Sequence, residues 1–446
     1  MEVHRFQVVI IGTGPGGTSA ALRLARAGLR VAIIDERKYG GTCPNRGCDP
    51  KKIIRVGAEL AYRSHQLARN GIVAPTRINW DRLMHWKRSI IEEVPRTVED
   101  SLVQAGVTTY HGMASFIDAH SVRVGTQALS ADRFIIATGS VHRPLPISGS
   151  HFLATSEEVL ELDTLPDHAL FVGGGYVSFE LAHLLAACGV ACTIVHADET
   201  PLPDFDEALV RTLIDSSRED GIEIVLGSEV TGIDQVGEGY HVHAVSEDEH
   251  HTYETDIAIH GAGRIANVQG LNLAAAGIIA PRNGIHVDEY LRASEHIYAI
   301  GDCADSGPAV TPVAQYHGRL VADILLGSPR VVDHSIIPRV LFTLPELASV
   351  GLTERDAHRD GIAHLVKNHE TSSWLSSRIL GQRHAGSRIL VDPTSKRILG
   401  AHLFGSGSAE TIHLFALAMR EGVSADALAN LIYAFPTQSS DIPSLL

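Results

Sequence analysis

Residues 7–35 read QVVIIGTGPGGTSAALRLARAGLRVAIID. An apolar run at Gln7–Ile11 gives way to glycines, then to an amphipathic stretch reaching Ala27, then to a second apolar run at Val31–Ile34 that Asp35 closes. The periodicity passes from that of a buried strand to that of a helix and back. Gly12, Gly14 and Gly17 spell G-x-G-x-x-G at the first turn. Glycines there permit a tight turn and close approach of a pyrophosphate, the helix start offers unpaired N–H groups, and a carboxylate after the second strand bonds ribose hydroxyls. The glycine spacing alone is common. With strand, helix and acid all in place it predicts a dinucleotide-binding unit.

The pattern returns at residues 168–196, HALFVGGGYVSFELAHLLAACGVACTIVH. Gly173 and Gly175 fill the first two glycine positions and Ser178 the third, where a small side chain still lets helix pack on strand. Two such units predict two different dinucleotides. His196 ends the second strand, where an acid would favour NADH and arginines NADPH, so this position selects neither.

The rest of the composition is consistent with small-molecule chemistry. A chain of 446 residues with 44% hydrophobic and 20% charged residues is expected to fold as two or three domains. A formal charge of −15 argues against nucleic-acid or anionic-membrane partners, which need concentrated Lys and Arg. The N-terminal apolar run is too short for a membrane span or a signal-peptide core, so a cytoplasmic protein is expected.

Two of the five cysteines stand in GGTCPNRGCDPKK, Gly40 to Lys52. A metal clip lacks a second cysteine pair to complete it, so no metal site is expected here. A structural disulfide is unusual in a reducing compartment, which weakens the staple and leaves a redox pair as the third reading. Five positions along a regular helix turn a side chain by about 140°, so Cys43 and Cys48 need a bend at Asn45–Gly47, with Cys48-Asp49-Pro50 opening a helix that runs to Asn70. A thiol at that N-terminus would have its thiolate favoured. Cys188 and Cys192 read as small buried residues.

The segment resembles the active-site disulfide of the pyridine nucleotide-disulfide oxidoreductases, the group of glutathione reductase, dihydrolipoamide dehydrogenase and mercuric reductase. The resemblance extends through IIATGS (135–140), GGGYVSFE (173–180), GAGRIAN (261–267), YAIGDCAD (298–305), TPVAQYHGR (311–319) and PRVLFTLPELASVGLTE (338–354). It implies an α/β fold with two Rossmann-like domains, one for FAD and one for NADPH or NADH, and a C-terminal α+β domain that makes a homodimer. The corresponding segments are residues 1–146 and 261–333 for FAD, 147–260 for NAD(P)H, and 334–446 for the dimer.

Carried over by position, the resemblance gives the FAD pyrophosphate and ribose to Gly12, Gly14, Gly17 and Asp35, the FAD linker to Asp302 and the flavin to the helix start at Thr311, and the NAD(P)H pyrophosphate to Gly173 and Gly175, with Tyr176 as a flap over the flavin face. Gly41, Thr42, Lys51, Thr138, Gly139, His196, Gly263, Arg264, Pro312, Val313 and Ala314 complete the implied cofactor-binding residues. Lys51 and Glu180 match an ion pair beside the flavin. NAD(P)H would reduce the flavin, the flavin a Cys43–Cys48 disulfide, with Cys48 nearer the ring and Cys43 the exposed attacking thiolate.

One position departs from the family. Glutathione reductase and its near relatives carry His-Pro-Thr-x-x-Glu near the C-terminus, the histidine serving as acid for the leaving thiol of the other subunit. Here Phe435-Pro436-Thr437-Gln438-Ser439-Ser440 puts Phe435 at the histidine and Ser440 at the glutamate. Tyr433, His413 and Asp441 are the neighbouring groups that could replace that acid. Without one, the expected substrate is a small disulfide with a low-pKa thiol or thione leaving group, such as ergothioneine disulfide. The alternatives are a reductase of quinones or other electron acceptors, a mercuric-type reductase, or a dihydrolipoamide dehydrogenase; no cysteine follows Cys303 to serve a mercuric role.

Overall fold

The computed structural model describes residues 3–446. Its contacts group into two compact units. The first comprises the chain up to Ile53, Met84–Arg143 and Gly263–His334; the second comprises Ile54–Leu83, Pro144–Ala262 and Ser335–Leu446.

In the first unit, strands Thr108–His111, Val31–Asp35, Val3–Ile11 and Gln127–Ile136 lie side by side in that order and parallel. Gln127–Ile136 is long enough to serve two neighbours. Its first half pairs antiparallel with Ser121–Val124, and its last residues pair parallel with Ile297–Ala299. The opening strand starts at Val3 rather than at the expected Gln7, because Val3–Phe6 pair with Ala128–Ala131 and a polar sequence is held in extended form by that ladder. The Pro15–Arg26 helix follows the glycine turn, and it packs on the Thr311–Leu325 helix through glycine: a Cβ on Gly318 would stand 2.2 Å from the Gly16 carbonyl oxygen.

The second unit holds the second dinucleotide fold, with strands Ile222–Val225, Ala191–Val195, His168–Val172 and Ile257–His260 parallel in that order. An antiparallel meander spans 229–255. The C-terminal sheet runs Arg339–Leu341, Leu347–Gly351, Ile398–Phe404, Gly386–Val391, Leu365–Glu370, all antiparallel, against the Ser408–Arg420 helix. Among the described residues no helix is long and apolar enough to cross a membrane.

The Tyr176–Ala187 helix is buried from Ser178 to Leu185, so its inward polar side chains must find partners inside the protein. Glu180 accepts the Phe342 backbone N–H at 2.8 Å. His183 accepts the Leu344 N–H on Nδ1 at 3.4 Å, and its Nε2 lies 2.9 Å from Ser217 Oγ. Since Ser217 gives its own proton to the Leu213 carbonyl, the imidazole must donate from Nε2, which fixes a neutral tautomer. Burial pushes its pKa down to about 3. An unfolded imidazole takes up its proton near pH 6.5, so between that pH and about 3 the unfolded chain binds one proton more than the native one. Stability therefore falls as pH falls, by about 1.4 kcal/mol per pH unit from this group. Urea unfolding of wild type and His183→Gln at pH 7, 6, 5 and 4 should show a shallower loss in the variant; parallel curves would show that His183 is not the source.

Candidate active site

The glycine turn of the first unit is built from backbone approaches. Gly12 has φ +110°, and a Cβ there would meet the Ala137 carbonyl oxygen at 2.2 Å; one on Gly17 would meet the Gly12 oxygen at 2.0 Å. Gly14 is different. It caps the Pro15–Arg26 helix without a side-chain hydrogen bond, and no heavy atom lies within 4 Å of its would-be Cβ. Gly139, at φ +69°, is open in the same way. The helix start thus faces free space with unpaired N–H groups, the geometry a pyrophosphate requires. Asp35 is oriented by Thr13, whose N–H and hydroxyl both bond Oδ2, at 2.8 and 2.5 Å, while the Arg37 N–H bonds Oδ1. Oδ2 spends both lone pairs on Thr13, and Oδ1 keeps one for a ribose hydroxyl.

Gly40 and Gly41 carry the chain directly over this turn, at φ +104° and +73°. A Cβ on Gly41 would lie 2.6 Å from the Gly14 Cα, and the Gly40 N–H bonds Thr13 Oγ1. A short helix, Thr42–Arg46, then holds Cys43, and Gly47 breaks it before the Cys48–Ala68 helix begins. Asn45 braces the bend by donating to the Tyr39 and Gly41 carbonyls at 2.8 and 2.9 Å. The two cysteines are thiols within hydrogen-bonding reach of one another.

Cys48 opens its helix, and its Sγ lies 3.7 Å from the Oγ1 of Thr311, the first residue of the Thr311–Leu325 helix. Two helix N-termini meet at one sulfur, which favours negative charge there. Cys43 is held as a thiol: its hydrogen bond with Cys48 and its burial both raise its pKa. Cys48 stands at the helix end and Cys43 lies within the bend. Lys51 sits in the first turn after Cys48, its N–H on the Gly47 carbonyl.

Pro312, Val313 and Ala314 form the remainder of the first turn at Thr311, and Ala314 backs Gly301 and Gly16. Asp302 follows Gly301 and accepts the Ser140 hydroxyl at 2.9 Å. Arg264 donates to the Ser140 hydroxyl and carbonyl and lies in the first unit with Gly263 and Thr138. Sequence reading missed Thr13 and Ser140. It also missed His317, which accepts the Gly301 N–H on Nδ1 at 3.2 Å and meets His334 at 2.7 Å, Nε2 to Nε2. Thr13 was legible as a hydroxyl inside the glycine motif; the other two needed the tertiary structure.

In the second unit Gly173 stands at φ +104° against Gly261, and Ser178 donates to the Gly173 carbonyl at 2.5 Å. Gly175 caps the Tyr176–Ala187 helix without a side chain. His196 accepts the Gly174 N–H on Nδ1 at 3.1 Å, so this residue braces the turn. Tyr176 packs on Phe205 with ring centroids 5.3 Å apart, and burial raises its phenol pKa. Glu180 belongs to this unit and Lys51 to the first.

At the C-terminus Phe435 is 77% exposed. Tyr433, Asp441 and Ser440, near it in sequence, each have partners of their own. Tyr433 donates to the Leu428 carbonyl at 2.9 Å, Asp441 accepts from Ser376 at 2.5 Å, and Ser440 closes a capping box with Thr437. His413 is exposed on the Ser408–Arg420 helix.

Residues 6–318 match the family model for pyridine nucleotide-disulphide oxidoreductases, and residues 337–445 match the dimerisation domain of the same family. The chain belongs to that family. Over 97% of its length it is 32% identical to a dihydrolipoyl dehydrogenase of Haloferax volcanii, 93% of which is covered. It is equally similar, at 32% identity with 94% of each chain covered, to a glutathione reductase of Nostoc. The HOCl-induced flavoprotein disulfide reductase RclA of Escherichia coli, also solved as a Cu(II) complex, superimposes with a TM-score of 0.89 at 28% identity over 98% of this chain and 99% of that one. Enzymes of this family use FAD and NAD(P)H, and the open helix starts at Gly14 and Gly175 fit two pyrophosphates. This chain is a flavin-dependent oxidoreductase of the sulfur-acting class.

Only a thiolate attacks a disulfide, and Cys43 is held above the usual thiol range. If Cys43 is the attacking sulfur, kcat/KM for disulfide reduction should rise with pH through the alkaline range, up to tenfold per unit. Stopped-flow oxidation of the reduced enzyme from pH 6.5 to 9.5 checks this, and a flat profile would exclude Cys43 as the rate-determining nucleophile.

Proposed function

We propose that this protein is a homodimeric, cytoplasmic NAD(P)H:disulfide reductase acting on small disulfides whose departing sulfur is already stable as a thiolate or thione, ergothioneine disulfide being one example. The observation that carries this reading is the exposed Phe435, with Tyr433 and Asp441 both bound to groups of their own domain. In a homodimer position 435 stands where relatives bring an acid to the second subunit's cysteine pair. A phenyl ring neither gives nor takes a proton.

FAD, held by Gly12, Gly14, Gly17, Asp35, Gly41, Asp302 and the Thr311 helix start, supplies the two-electron link between NAD(P)H and the cysteines. Gly173, Gly175 and His196 hold NAD(P)H, with Tyr176 opening the helix that follows Gly175.

The cysteines perform the substrate half. Cys43 thiolate attacks one sulfur of the substrate, forming a mixed disulfide and releasing the first thiolate. Cys48 thiolate then attacks Cys43 Sγ, forming the Cys43–Cys48 disulfide and releasing the second. The dithiol loses two electrons, the substrate gains them, and both leaving groups depart as anions unless solvent protonates them. Gly47 keeps the two sulfurs within reach: a Cβ there would lie 3.1 Å from the Thr42 carbonyl oxygen and 3.3 Å from the Cys43 Cα. Two helix N-termini at Cys48 favour the resolving thiolate.

Turnover measured anaerobically against disulfides of graded leaving-thiol pKa should fall steeply as that pKa rises. Phe435→His should flatten the dependence, raising turnover of aliphatic disulfides tenfold or more while leaving acidic ones nearly unchanged. Equal turnover across the series in wild type would overturn the reading, as would disulfide turnover retained by Cys43→Ser.

A further inference from the structure

Away from both glycine turns, Glu354, His358 and His364 bring a carboxylate and two imidazoles together, their ligand atoms all within 4.8 Å of one another. We propose that these three residues bind a divalent transition cation of the Zn²⁺ type.

The backbone holds them there. Glu354 and His358 are four apart on the Glu354–Arg359 helix, hence on one face. Thr353 and Asp356 close the start of that helix with a capping box. Its end is closed by the Gly361 N–H on the His358 carbonyl and the Ile362 N–H on the Ala357 carbonyl, with Gly361 in the left-handed region at φ +65°. The chain thereby doubles back, and His364 meets His358 with ring centroids 5.0 Å apart.

The donor set is suited to a metal. His364 Nδ1 lies 2.8 Å from the Ile362 carbonyl oxygen. That bond requires the proton on Nδ1 and leaves the Nε2 lone pair free, the arrangement in which metal-bound histidines are commonly held. Glu354 pairs with Arg388, but Arg388 also bonds the buried Asp206 at 3.0 Å, so the three groups together keep one negative charge. Arg359 is answered by Asp356 and Asp360. Two imidazoles and one carboxylate select a borderline cation over Ca²⁺ or Mg²⁺ and leave a fourth position open. Bond lengths near 2.1 Å in a tetrahedral site set ligand atoms roughly 3.4 Å apart, so the exposed His358 side chain must swing inward by about an ångström on binding.

The test uses the oxidised, FAD-loaded enzyme, in which Cys43 and Cys48 are tied as a disulfide. Calorimetric titration with Zn²⁺ should show one equivalent that is lost in the His358→Ala/His364→Ala double variant and weakened at least tenfold in Glu354→Gln. Zn²⁺ should raise the thermal midpoint of wild type and not of the double variant. Far-UV circular dichroism and FAD content confirm that the variants fold. Co²⁺ in place of Zn²⁺ should give only weak visible bands from nitrogen and oxygen ligands. Unchanged stoichiometry and affinity in the double variant would overturn the site, and so would an intense sulfur-to-cobalt band.

Discussion

Gly12, Gly16, Gly17, Gly41 and Gly318 let backbone meet backbone where no side chain would fit. A Cβ on any of the five would come within 3 Å of a neighbouring main-chain atom. Because the first helix can lie that close to the strand, to the Gly40–Gly41 crossing and to the Thr311–Leu325 helix, its unpaired N–H groups, Asp35, the cysteine bend and a second helix start are held in one unit. Close packing turns a difference of a few tenths of an ångström at these glycines into a displacement of the sulfur chemistry.

Helix N-termini recur in that unit with different tasks. At Pro15 the positive end faces the open space over Gly14. At Cys48 and Thr311 two such ends meet at one sulfur. The neighbouring Cys43 is held as a thiol by its hydrogen bond with Cys48 and by burial, which account for the upward shift of its pKa. Cys43 must therefore be deprotonated before it can attack a disulfide.

Position 435 carries a phenyl ring, which neither gives nor takes a proton. Tyr433 and Asp441 are polar and near in sequence, yet each is consumed by a hydrogen bond that holds the C-terminal segment in place. Under the proposed function, substrate choice rests on the leaving group, since the sulfur that departs must supply the stability that a proton donor would otherwise have provided.

Local sequence determined a good part of this. The alternation of apolar runs and glycines fixed two dinucleotide folds, because strand and helix periods and the left-handed turn at Gly12 and Gly173 are properties of a few consecutive residues. The bend between Cys43 and Cys48 was legible for the same reason. Tertiary structure decided what depends on partners distant in the chain. Val3–Phe6 became a strand only through pairing with residues 128–131. Gly318 mattered only because Gly16 lies beneath it, and His183 was neutral only because Ser217 and Leu344 close around it. Arg264 joined the first unit through Ser140, across 124 residues. The meeting of His364 with His358 lay between the two: a six-residue spacing that carries no signal until a capped helix and one left-handed glycine fold it back.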